Sequence, residues 1–371
     1  MTRLDIGRLE RAKSRLGEAV LDPGQWPSIM EDICASVRTT GAVLLQSDAR
    51  TPDVPATSGV SDLLRTYFEN DLHMTDIRAI RGVPLQLSGR RAIRDQDLFP
   101  SEDRMLKDPL YKSISRCGFR WWSAVSFRSG PALWALSFQR TIAEGMYDDD
   151  EIRILAGLSG PLTEAATLSR AVGKQVLLGT LDAFELINEP ALSVSSTGLV
   201  IEMNRAAAGL FDADFRVRNN RLYMRDEKAS LALERLLWER PANDETRLRA
   251  RGRVANIIVA RRETKKPIVI TALPVHGAAS APFLGARVIL SLRDLEAERR
   301  PALEVLSEAF SLTAAETKVA SMVATGSSPE EIAGEMQVSR ETVRNQIKAI
   351  FGKTGTHRQS ELVALISRIR S

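Results

Sequence analysis

Basic side chains are concentrated in one short stretch near the end of the chain. Between residues 339 and 358 a single acid, Glu341, stands among five cations, which are Arg340, Arg344, Lys348, Lys353 and Arg358. Guanidinium and ammonium groups donate hydrogen bonds to phosphate oxygens and to acceptor atoms on base edges. The one-sided charge therefore favours contact with double-stranded nucleic acid, whereas any one of these residues alone is explained by an ordinary solvated helix face.

Two helix-start signals position this stretch. Ser328 is followed three residues later by Glu331, and this pair can cap a helix by satisfying each other's backbone donors. Ser339 is a second good N-cap. Only residues 337 and 338 are left to connect the first helix to the second, so the spacing predicts a helix-turn-helix.

The helix that begins after Ser339 has two different faces. Its apolar face is predicted to contain Val343, Ile347, Ile350 and Phe351. At about 100° per residue, the opposite side contains Glu341, Asn345, Lys348, Ala349 and Gly352, with Arg344 on its flank. The small residues on this side allow the helix backbone to approach another molecule closely. The polar side is therefore the predicted contact surface.

Two further helices complete the predicted terminal domain. Thr313 and Glu316 form another capping pattern, and this helix is predicted to end near Gly326. The last segment, "SELVALISRIR", repeats apolar residues at helical spacing. A domain of this size should not leave so much apolar surface to water, so part of it is predicted to contact a second copy of the chain in a homodimer that reads paired half-sites.

Residues Leu312 to Val363 resemble the LuxR-type helix-turn-helix family of bacterial transcription regulators. The matching positions are Glu316, Gly326, Glu331, Ile332, Ala333, Ser339, Thr342, Val343, Lys353, Gly355 and Glu361, together with the opening Leu-Thr. The resemblance implies that the helix beginning at Ser339 enters the major groove. It implies that the base readers are Arg344, Asn345 and Lys348, and that phosphates are held by Arg340, Thr342 and Lys353. Ser339 is included in the same predicted DNA-binding set.

This chain departs from the family pattern at three positions. Family members commonly have His where this chain has Gln346, and an apolar pair where it has Thr354 and Thr356. These differences leave the fold assignment intact, but they put the sequence of the DNA site in doubt.

Length and composition constrain the rest of the chain. A length of 371 residues suggests two or three domains, and 44% hydrophobic with 26% charged residues is typical of globular proteins. The net charge of +4 permits nucleic-acid binding without requiring it. The N-terminus lacks the apolar core of a signal peptide, and no run of about 18 apolar residues occurs. A soluble, cytoplasmic protein without a membrane span is predicted.

The usual signals of enzymes, metals and cofactors are absent from the sequence. Cys34 and Cys117 are too few for a disulfide framework and are interpreted as packing residues. Three scattered histidines have no second ligand type at metal spacing. The sequence has no G-x-S-x-G, P-loop or G-x-G-x-x-G motif. We therefore predict that the protein is not an enzyme and needs no metal or cofactor.

Residues 1–172 are predicted to form an α+β sensor domain. The pattern indicates an opening helix, a second from about Gln25 to Thr39, the strand "AVLLQS", a third helix "SDLLRTYFENDL", and two strands around the turn "RSGP". A long helical segment follows from residue 148. This part is similar to GAF-like and other α/β sensor modules.

Residues 173–294 are predicted to form a second unit of antiparallel strands with helices. It opens with a strand, a turn, a second strand and a short helix after Asn204, and it later contains a hairpin around Glu263–Lys266 and a final strand. This pattern is similar to a PAS domain. The arginine-rich segment Arg247–Arg253 could contact nucleic acid, but it is better explained as a solvated loop and charged strand edge. A helical linker at 295–311, interrupted near Pro301, is predicted to lead into the all-α domain at 312–371.

Two features of the first domain suggest a ligand pocket. Tyr67 and Asp76 have the nine-residue spacing found in acyl-homoserine lactone sensors, and Gly118 lies near where such sensors have a glycine, although Ile77 replaces their usual proline. The tryptophans Trp121, Trp122 and Trp134 could line another pocket, but aromatic residues in paired strands more often belong to a core.

The leading prediction is a sequence-specific DNA-binding transcription regulator, in which two front domains respond to a small molecule or a partner. Two alternatives concern the front region, which could be an enzyme or a protein-interaction module that the DNA-binding tail only localises. The acids Asp95 and Asp97 and the run 148–151 are the candidates for acid/base chemistry. They are better explained as a turn and a helix N-terminus, where carboxylates are favoured.

Overall fold

The computed structural model describes residues 4–47, 51, 54–238, 257–296, 303–367 and 369. Two predictions, the solvated basic segment Arg247–Arg253 and the interruption at Pro301, lie outside the described residues.

An antiparallel sheet organises the first part of the chain. Its strands run in the order β1-β4-β3-β2, with bounds Gly41–Gln46 (β1), Ala92–Arg94 (β2), Phe119–Ser129 (β3) and Ala132–Thr141 (β4). The predicted hairpin around "RSGP" is confirmed as β3 and β4, and Gly130 takes the left-handed conformation in its turn, with φ 59°.

Helices cover both faces of this sheet. In chain order they are α1 (Ile6–Ser14), α2 (Glu18–Leu21), α3 (Trp26–Ser36), α4 (Ser61–Glu69), α5 (Ile77–Leu87), α6 (Asp95–Leu98), α7 (Glu102–Leu106), α8 (Pro109–Arg116), α9 (Asp149–Ala156) and α10 (Ser159–Leu186). The predicted helices at the start, at Gln25–Thr39 and at "SDLLRTYFENDL" are confirmed. The four helices α5 to α8, of which α5 and α8 line the cavity described below, were not predicted.

The alternation of side chains along β4 separates two cores. Trp134, Leu136 and Phe138 belong to the core formed with α1, α3 and α10. Ala135, Ser137 and Gln139 point to the opposite face, because successive side chains of a strand alternate. That second face is covered by α4, α5 and α8, whose buried residues pack with Trp122 and Ala124 of β3.

A buried ion pair fastens the end of β4 to α9. The Arg140 guanidinium donates to both carboxylate oxygens of Glu151, at 2.7 and 3.0 Å, and also to the carbonyl oxygen of Val37 at 2.8 Å. Its central carbon lies 3.9 Å from the ring centroid of Tyr147. Glu151 also caps α9 by accepting from the backbone N–H of Asp148. The acidic run at 148–151 is thus a helix N-terminus, as predicted.

The second unit contains a five-stranded antiparallel sheet in the order β6-β5-β11-β10-β9 and a separate hairpin, β7-β8. Among the described residues of this unit, the strands are β5 (Ala191–Ser195), β6 (Val200–Met203), β7 (Phe215–Arg218), β8 (Arg221–Met224), β9 (Ile257–Ala260), β10 (Ile268–Pro274) and β11 (Ala286–Asp294), and the helices are α11 (Arg205–Ala208) and α12 (Glu227–Trp238). The predicted hairpin around Glu263–Lys266 and the short helix after Asn204 are confirmed. The β7-β8 hairpin was not predicted.

Phe283 of the second unit is inserted into the core of the first. Its ring centroid lies 5.3 Å from that of Trp26, 5.8 Å from Phe127 and 5.0 Å from Trp134, each in edge-to-face geometry. Such pairs add to the area that they bury. The two units therefore share part of one apolar core.

Five helices within residues 303–367 form the described part of the terminal domain. They are α13 (Leu303–Phe310), α14 (Ala314–Ala324), α15 (Pro329–Met336), α16 (Arg340–Thr354) and α17 (Gln359–Ile366). The capping boxes predicted at Thr313 and Ser328 are both present. Leu306 of α13 is fully buried in the same core as Val343 and Ile350. The helix assigned by the sequence to a linker is therefore part of the packing of this domain.

The apolar side of α17 is mostly used inside the domain. Leu362 and Ile366 are buried, and Val363 and Leu365 are half-buried. From the sequence we expected more exposed apolar surface on this helix, because α13 had not been assigned to the same core. Less of this helix than expected is left for contact with a second copy.

Candidate nucleic-acid interface and buried cavity

The turn between α15 and α16 is held by its own backbone and by a cap. Gln337 is in the left-handed conformation, with φ 54°, and ends α15. Two residues later the Ser339 hydroxyl accepts a hydrogen bond from the backbone N–H of Thr342 at 3.0 Å. Arg340 forms a 2.5 Å ion pair with Glu330 on α15. These contacts fix the direction in which α16 leaves the turn.

One side of α16 is exposed and polar, while the other is anchored in the core. Val343 and Ile350 are completely buried. Arg344, Asn345 and Lys348 are exposed, as are the small residues Ala349 and Gly352 beside them. Since the buried side is rigidly packed, the exposed donors are held on a surface of defined shape. The faces of this helix are those predicted from the sequence.

The remaining predicted DNA contacts differ in how available their side chains are. Ser339 and Arg340 are exposed at the start of α16, and Arg340 would have to exchange its exposed ion pair with Glu330 for a phosphate. The hydroxyl of Thr342, also exposed, lies 2.8 Å from that of Ser339. Each can reach outward from the first turn of the helix, where backbone N–H groups also favour an anion.

The side chain of Lys353 is hydrogen-bonded to other residues of the same domain. Its ammonium donates to Glu316 Oε2 at 2.6 Å and to the carbonyl oxygen of Ser311 at 3.1 Å, and it ties the end of α16 to the start of α14. The ammonium of Lys353 and the backbone N–H of Thr313 hold the pKa of Glu316 below its usual value. This geometry favours a structural role for Lys353 over the phosphate contact expected from the sequence.

Lys353→Met is expected to lower the midpoint of thermal unfolding at pH 7, measured by circular dichroism. The pKa of Glu316 is lower in the folded state than in the unfolded chain. The stabilisation from the Lys353–Glu316 pair is therefore fully present above the unfolded-state pKa of Glu316, and it is lost as the pH falls through its folded-state pKa. The gap between wild type and variant should therefore shrink below about pH 4. Lys318→Met, at an exposed position on α14, is the control. An equal difference in unfolding midpoint at pH 7 and at pH 3 would contradict a stabilising ion pair between Lys353 and Glu316.

A cavity lies between the β3-β4 face and the helices α4, α5 and α8. Its volume is about 50 Å³, several times the roughly 10–15 Å³ that one water molecule needs. The apolar part of its wall comes mainly from Val43, Leu63, Leu64, Val83, Leu110, Ile114, Trp122 and Ala124. Its polar part comes mainly from Tyr67, Asp76, Arg78, Gln86, Ser137 and Gln139. An apolar lining with a few convergent polar groups is typical of a small-molecule site, but about 50 Å³ is well below the roughly 300–1,000 Å³ of most ligand pockets.

Tyr67 and Asp76, paired by the sequence on spacing alone, meet at this cavity. The Tyr67 hydroxyl donates to Asp76 Oδ2 at 2.7 Å. The other carboxylate oxygen caps α5 by accepting from the backbone N–H of Arg78 at 2.8 Å. Both side chains are buried, so the cap and the hydrogen bond fix the carboxylate against the cavity wall.

A buried network that the sequence did not predict adjoins the same wall. The Arg78 guanidinium donates through Nε to the Tyr111 hydroxyl at 3.0 Å and through Nη1 to Gln139 Oε1 at 3.0 Å. The Tyr111 hydroxyl in turn donates to Asp95, which also accepts from the backbone N–H of Trp122 at 2.6 Å. Burial raises the pKa of Asp95 to about 6, while Arg78 and these hydrogen bonds act in the opposite direction.

The predicted tryptophans lie in different places. Trp122 lines the cavity and donates through its ring N–H to Ser137 at 2.8 Å. Trp121 is buried in the adjoining core and is not among the residues lining the cavity. Trp134 contributes to the wall, but it lies in the opposite core, where its ring packs on Phe283. Gly118, with φ 85°, is likewise outside the cavity.

Asp97, which was weighed for acid/base chemistry, and Cys34, which was interpreted as a packing residue, both lie in structural environments. Asp97 accepts from the backbone N–H of Arg94 at the start of α6. Cys34 is buried, and burial raises the pKa of its thiol.

Across the residues that the structure describes, no three His, Cys, Asp or Glu side chains are grouped as metal ligands. Within the same ranges, no helix is both long and apolar enough to cross a membrane.

Residues 310–366 match the family described as bacterial regulatory proteins, luxR family. This part of the chain is therefore a LuxR-type helix-turn-helix domain, in agreement with the resemblance found in the sequence. No curated protein matches the chain.

Several solved structures show a low level of similarity to this chain. A phage VqmA–DPO complex is 16% identical and covers 53% of this chain and 90% of its own, with a TM-score of 0.23. A Vibrio cholera VqmA–ligand–DNA complex is also 16% identical, covering 52% and 87%, with a TM-score of 0.22. The E. coli DhaR(N)–DhaL complex is 12% identical and covers 78% and 89%, with a TM-score of 0.24. Scores this low do not establish a shared overall arrangement.

Proposed function

We propose that the protein is a sequence-specific transcription regulator that reads double-stranded DNA with α16. The observation that carries this proposal is the exposed row of Arg344, Asn345 and Lys348 on a helix whose other side is anchored by Val343 and Ile350. Arginine, asparagine and lysine are the side chains best suited to acceptor atoms on guanine and adenine in the major groove. Arg340 and Thr342, at the start of the helix, would contact the flanking phosphates.

Selection of duplexes from a random pool by the immobilised full-length protein tests this function. The proposal predicts enrichment of one motif, arranged as two inverted half-sites about one helical turn apart if the protein acts as a symmetric dimer. Enrichment of no motif after repeated rounds would contradict sequence-specific reading.

The front of the chain is proposed to sense a small molecule. Residues 1–172 would act as a GAF-like domain and residues 173–294 as a PAS-like domain, joined to the DNA reader through 295–311. The cavity supports this role, because apolar side chains form most of its lining and buried polar groups from α4, α5 and β4 converge on it. Strand β4 lines the cavity with Ser137 and Gln139 and contacts Phe283 of the second unit through Trp134. A ligand that moves β4 would therefore alter the contact between the two units.

A homodimer is proposed to form along α10. Leu168 and Leu186 are 54% and 87% exposed, and they are 18 positions apart, about five helical turns, which places both on the same side of the helix. Val176, on the adjoining side, is 44% exposed. The polar residues Gln175 and Asp182 are exposed on this side between the two leucines, so the proposed contact consists of separate apolar points along the helix.

Leu168→Glu combined with Leu186→Glu is expected to convert the dimer into monomer, because two carboxylates would face each other across the two-fold axis. Light scattering during size-exclusion chromatography measures the change. Leu21→Glu, at a leucine that is 72% exposed on α2, is the matched control and should remain dimeric. Dimers of unchanged stability in the double variant would exclude α10 as the interface.

A further inference from the structure

The outward face of the β7-β8 hairpin carries only positive charge. Phe215 and Met224 pair across the two strands and are buried in the core of the second unit. Because successive side chains of a strand alternate, Arg216 and Arg218 lie on the opposite side of β7, where both are exposed. Residues 215–225 contain four arginines and no acid, so the hairpin presents a basic surface.

Two of these arginines lie directly opposite each other. Arg218 on β7 is the register partner of Arg221 on β8. Like charges in this position destabilise a hairpin, so the pair is unfavourable unless an anion neutralises it. Between them, Asn219 and Asn220 are both left-handed, with φ 51° and 56°, as a two-residue hairpin turn requires. The carbonyl oxygen of Asn220 accepts from the backbone N–H of Val200 at 2.7 Å, which fixes this turn against the five-stranded sheet.

Nearby acids leave most of this charge uncompensated. Among the described residues, Arg216 and Arg218 form no ion pair, and the Arg221 guanidinium donates to a backbone carbonyl oxygen. Arg225 is the exception, because it pairs with Glu263 at 2.6 Å. Three arginines of one surface therefore lack a counter-ion within the part of the chain that the structure describes.

The length of the connecting chain keeps this unit close to DNA that α16 binds. Glu296, in the second unit, and Leu303, the first residue of α13, are seven positions apart. At about 3.6 Å per residue or less, this connection spans at most about 25 Å. That distance is shorter than one turn of B-DNA, which is about 34 Å long. A duplex that continues for one or two turns beyond the site read by α16 can therefore lie beside the second unit.

We propose that the β7-β8 hairpin contacts the phosphate backbone of duplex DNA beside the site that α16 reads. Phosphate oxygens accept hydrogen bonds from guanidinium groups independently of the base sequence, and they supply the missing counter-charge. Charges that only protect a sheet edge serve equally well with either sign, whereas Arg218 and Arg221 repel each other. This inference rests on the proposed DNA-reading function and adds a second contact surface on a different unit of the chain.

Hydroxyl-radical footprinting with the full-length protein tests where the hairpin contacts DNA. The duplex carries the selected site and two helical turns of unrelated sequence on each side. The wild-type protein is expected to protect backbone in the flanks as well as over the site. Arg216→Gln combined with Arg218→Gln should lose the protection of the flanks and keep the protection of the site. Wild-type protection that ends at the site would overturn the inference.

Salt dependence separates this inference from base reading by α16. On a scrambled duplex of the same length, the double glutamine variant should lower the slope of log affinity against log salt by about 2 per bound copy, since each phosphate contact contributes about 1. Arg11→Gln combined with Arg104→Gln removes the same charge from exposed positions of the first unit and should leave the slope unchanged. An unchanged slope in the hairpin variant would overturn the inference. A lowered slope, in a protein that prefers no sequence, would support the hairpin contact and contradict reading by α16.

Arg218→Glu separates DNA contact from stability. The introduced carboxylate would face Arg221, and opposite charges across a hairpin are stabilising. The midpoint of thermal unfolding should therefore be no lower than that of the wild type, while protection of the flanks is lost. Flank protection that persists in this folded variant would overturn the inference. Unchanged DNA contacts with a smaller assembly mass by light scattering would also overturn it, because the hairpin would then join copies of the chain.

Discussion

Replacing Asn345 and Lys348 together by alanine is expected to abolish the preference of the full-length protein for its selected DNA site. Each base-reading contact contributes about 1–3 kcal/mol, so the pair lowers specific affinity by roughly 30-fold to 10⁴-fold if the effects add. Affinity for a scrambled duplex should fall less, because phosphate contacts do not depend on sequence. Fluorescence anisotropy titrations on both duplexes measure the two changes.

The matched control for this double variant is Lys318→Ala. Lys318 is exposed on α14 of the same domain, and its removal changes the net charge by the same amount as the removal of Lys348. It should retain the preference for the selected site. A proportionate loss on both duplexes in the Asn345 and Lys348 variant would show that these residues contact phosphates only, and a different face would have to read the bases.

Arg140→Met is expected to destabilise the first unit by about 3–5 kcal/mol. The ion pair of Arg140 with Glu151 is almost entirely enclosed, with side-chain exposures of 3% and 7%. Removing the guanidinium leaves the carboxylate buried without its counter-ion, which is far more costly than losing an exposed pair. The carbonyl oxygen of Val37 loses its donor as well. Urea-induced unfolding followed by tryptophan fluorescence measures the effect, because four of the five tryptophans lie in this unit.

Arg153→Met provides the comparison. Arg153 pairs with Asp150 on the same helix at 2.6 Å, but its side chain and that of the acid are 75% and 77% exposed. Solvent screens such a pair, and its removal should leave the urea midpoint unchanged within error. Equal destabilisation by the two substitutions would contradict the role assigned to burial.

The terminal domain was predictable because its signals are local. Caps at Thr313, Ser328 and Ser339 act within one helical turn, and the apolar spacing that follows each cap assigns its buried side. The faces of α16 follow from that spacing alone. The role of Lys353 did not follow, because its acceptors on Ser311 and Glu316 lie far away in the chain and meet it only after the helices have packed.

The cavity shows the opposite case. Spacing brought Tyr67 and Asp76 to notice, and the structure joins them by a hydrogen bond. Arg78 was not noticed, because a basic residue on an amphipathic helix is usually solvent-exposed, and its burial depends on acceptors from α8 and β4. The pairing register of β3 and β4 also decides which tryptophans line the cavity. The sequence alone does not show that Trp122 lines it and that the adjacent Trp121 does not.

The central claim, that α16 reads a defined DNA sequence, is tested most directly by the affinity ratio of the wild-type full-length protein for its selected duplex and a scrambled duplex of equal length. At about 150 mM salt the account predicts a ratio of about 10³ or more, as is typical of specific recognition. Equal affinity for both duplexes, with the same salt dependence, would show binding to the phosphate backbone alone and would contradict the account.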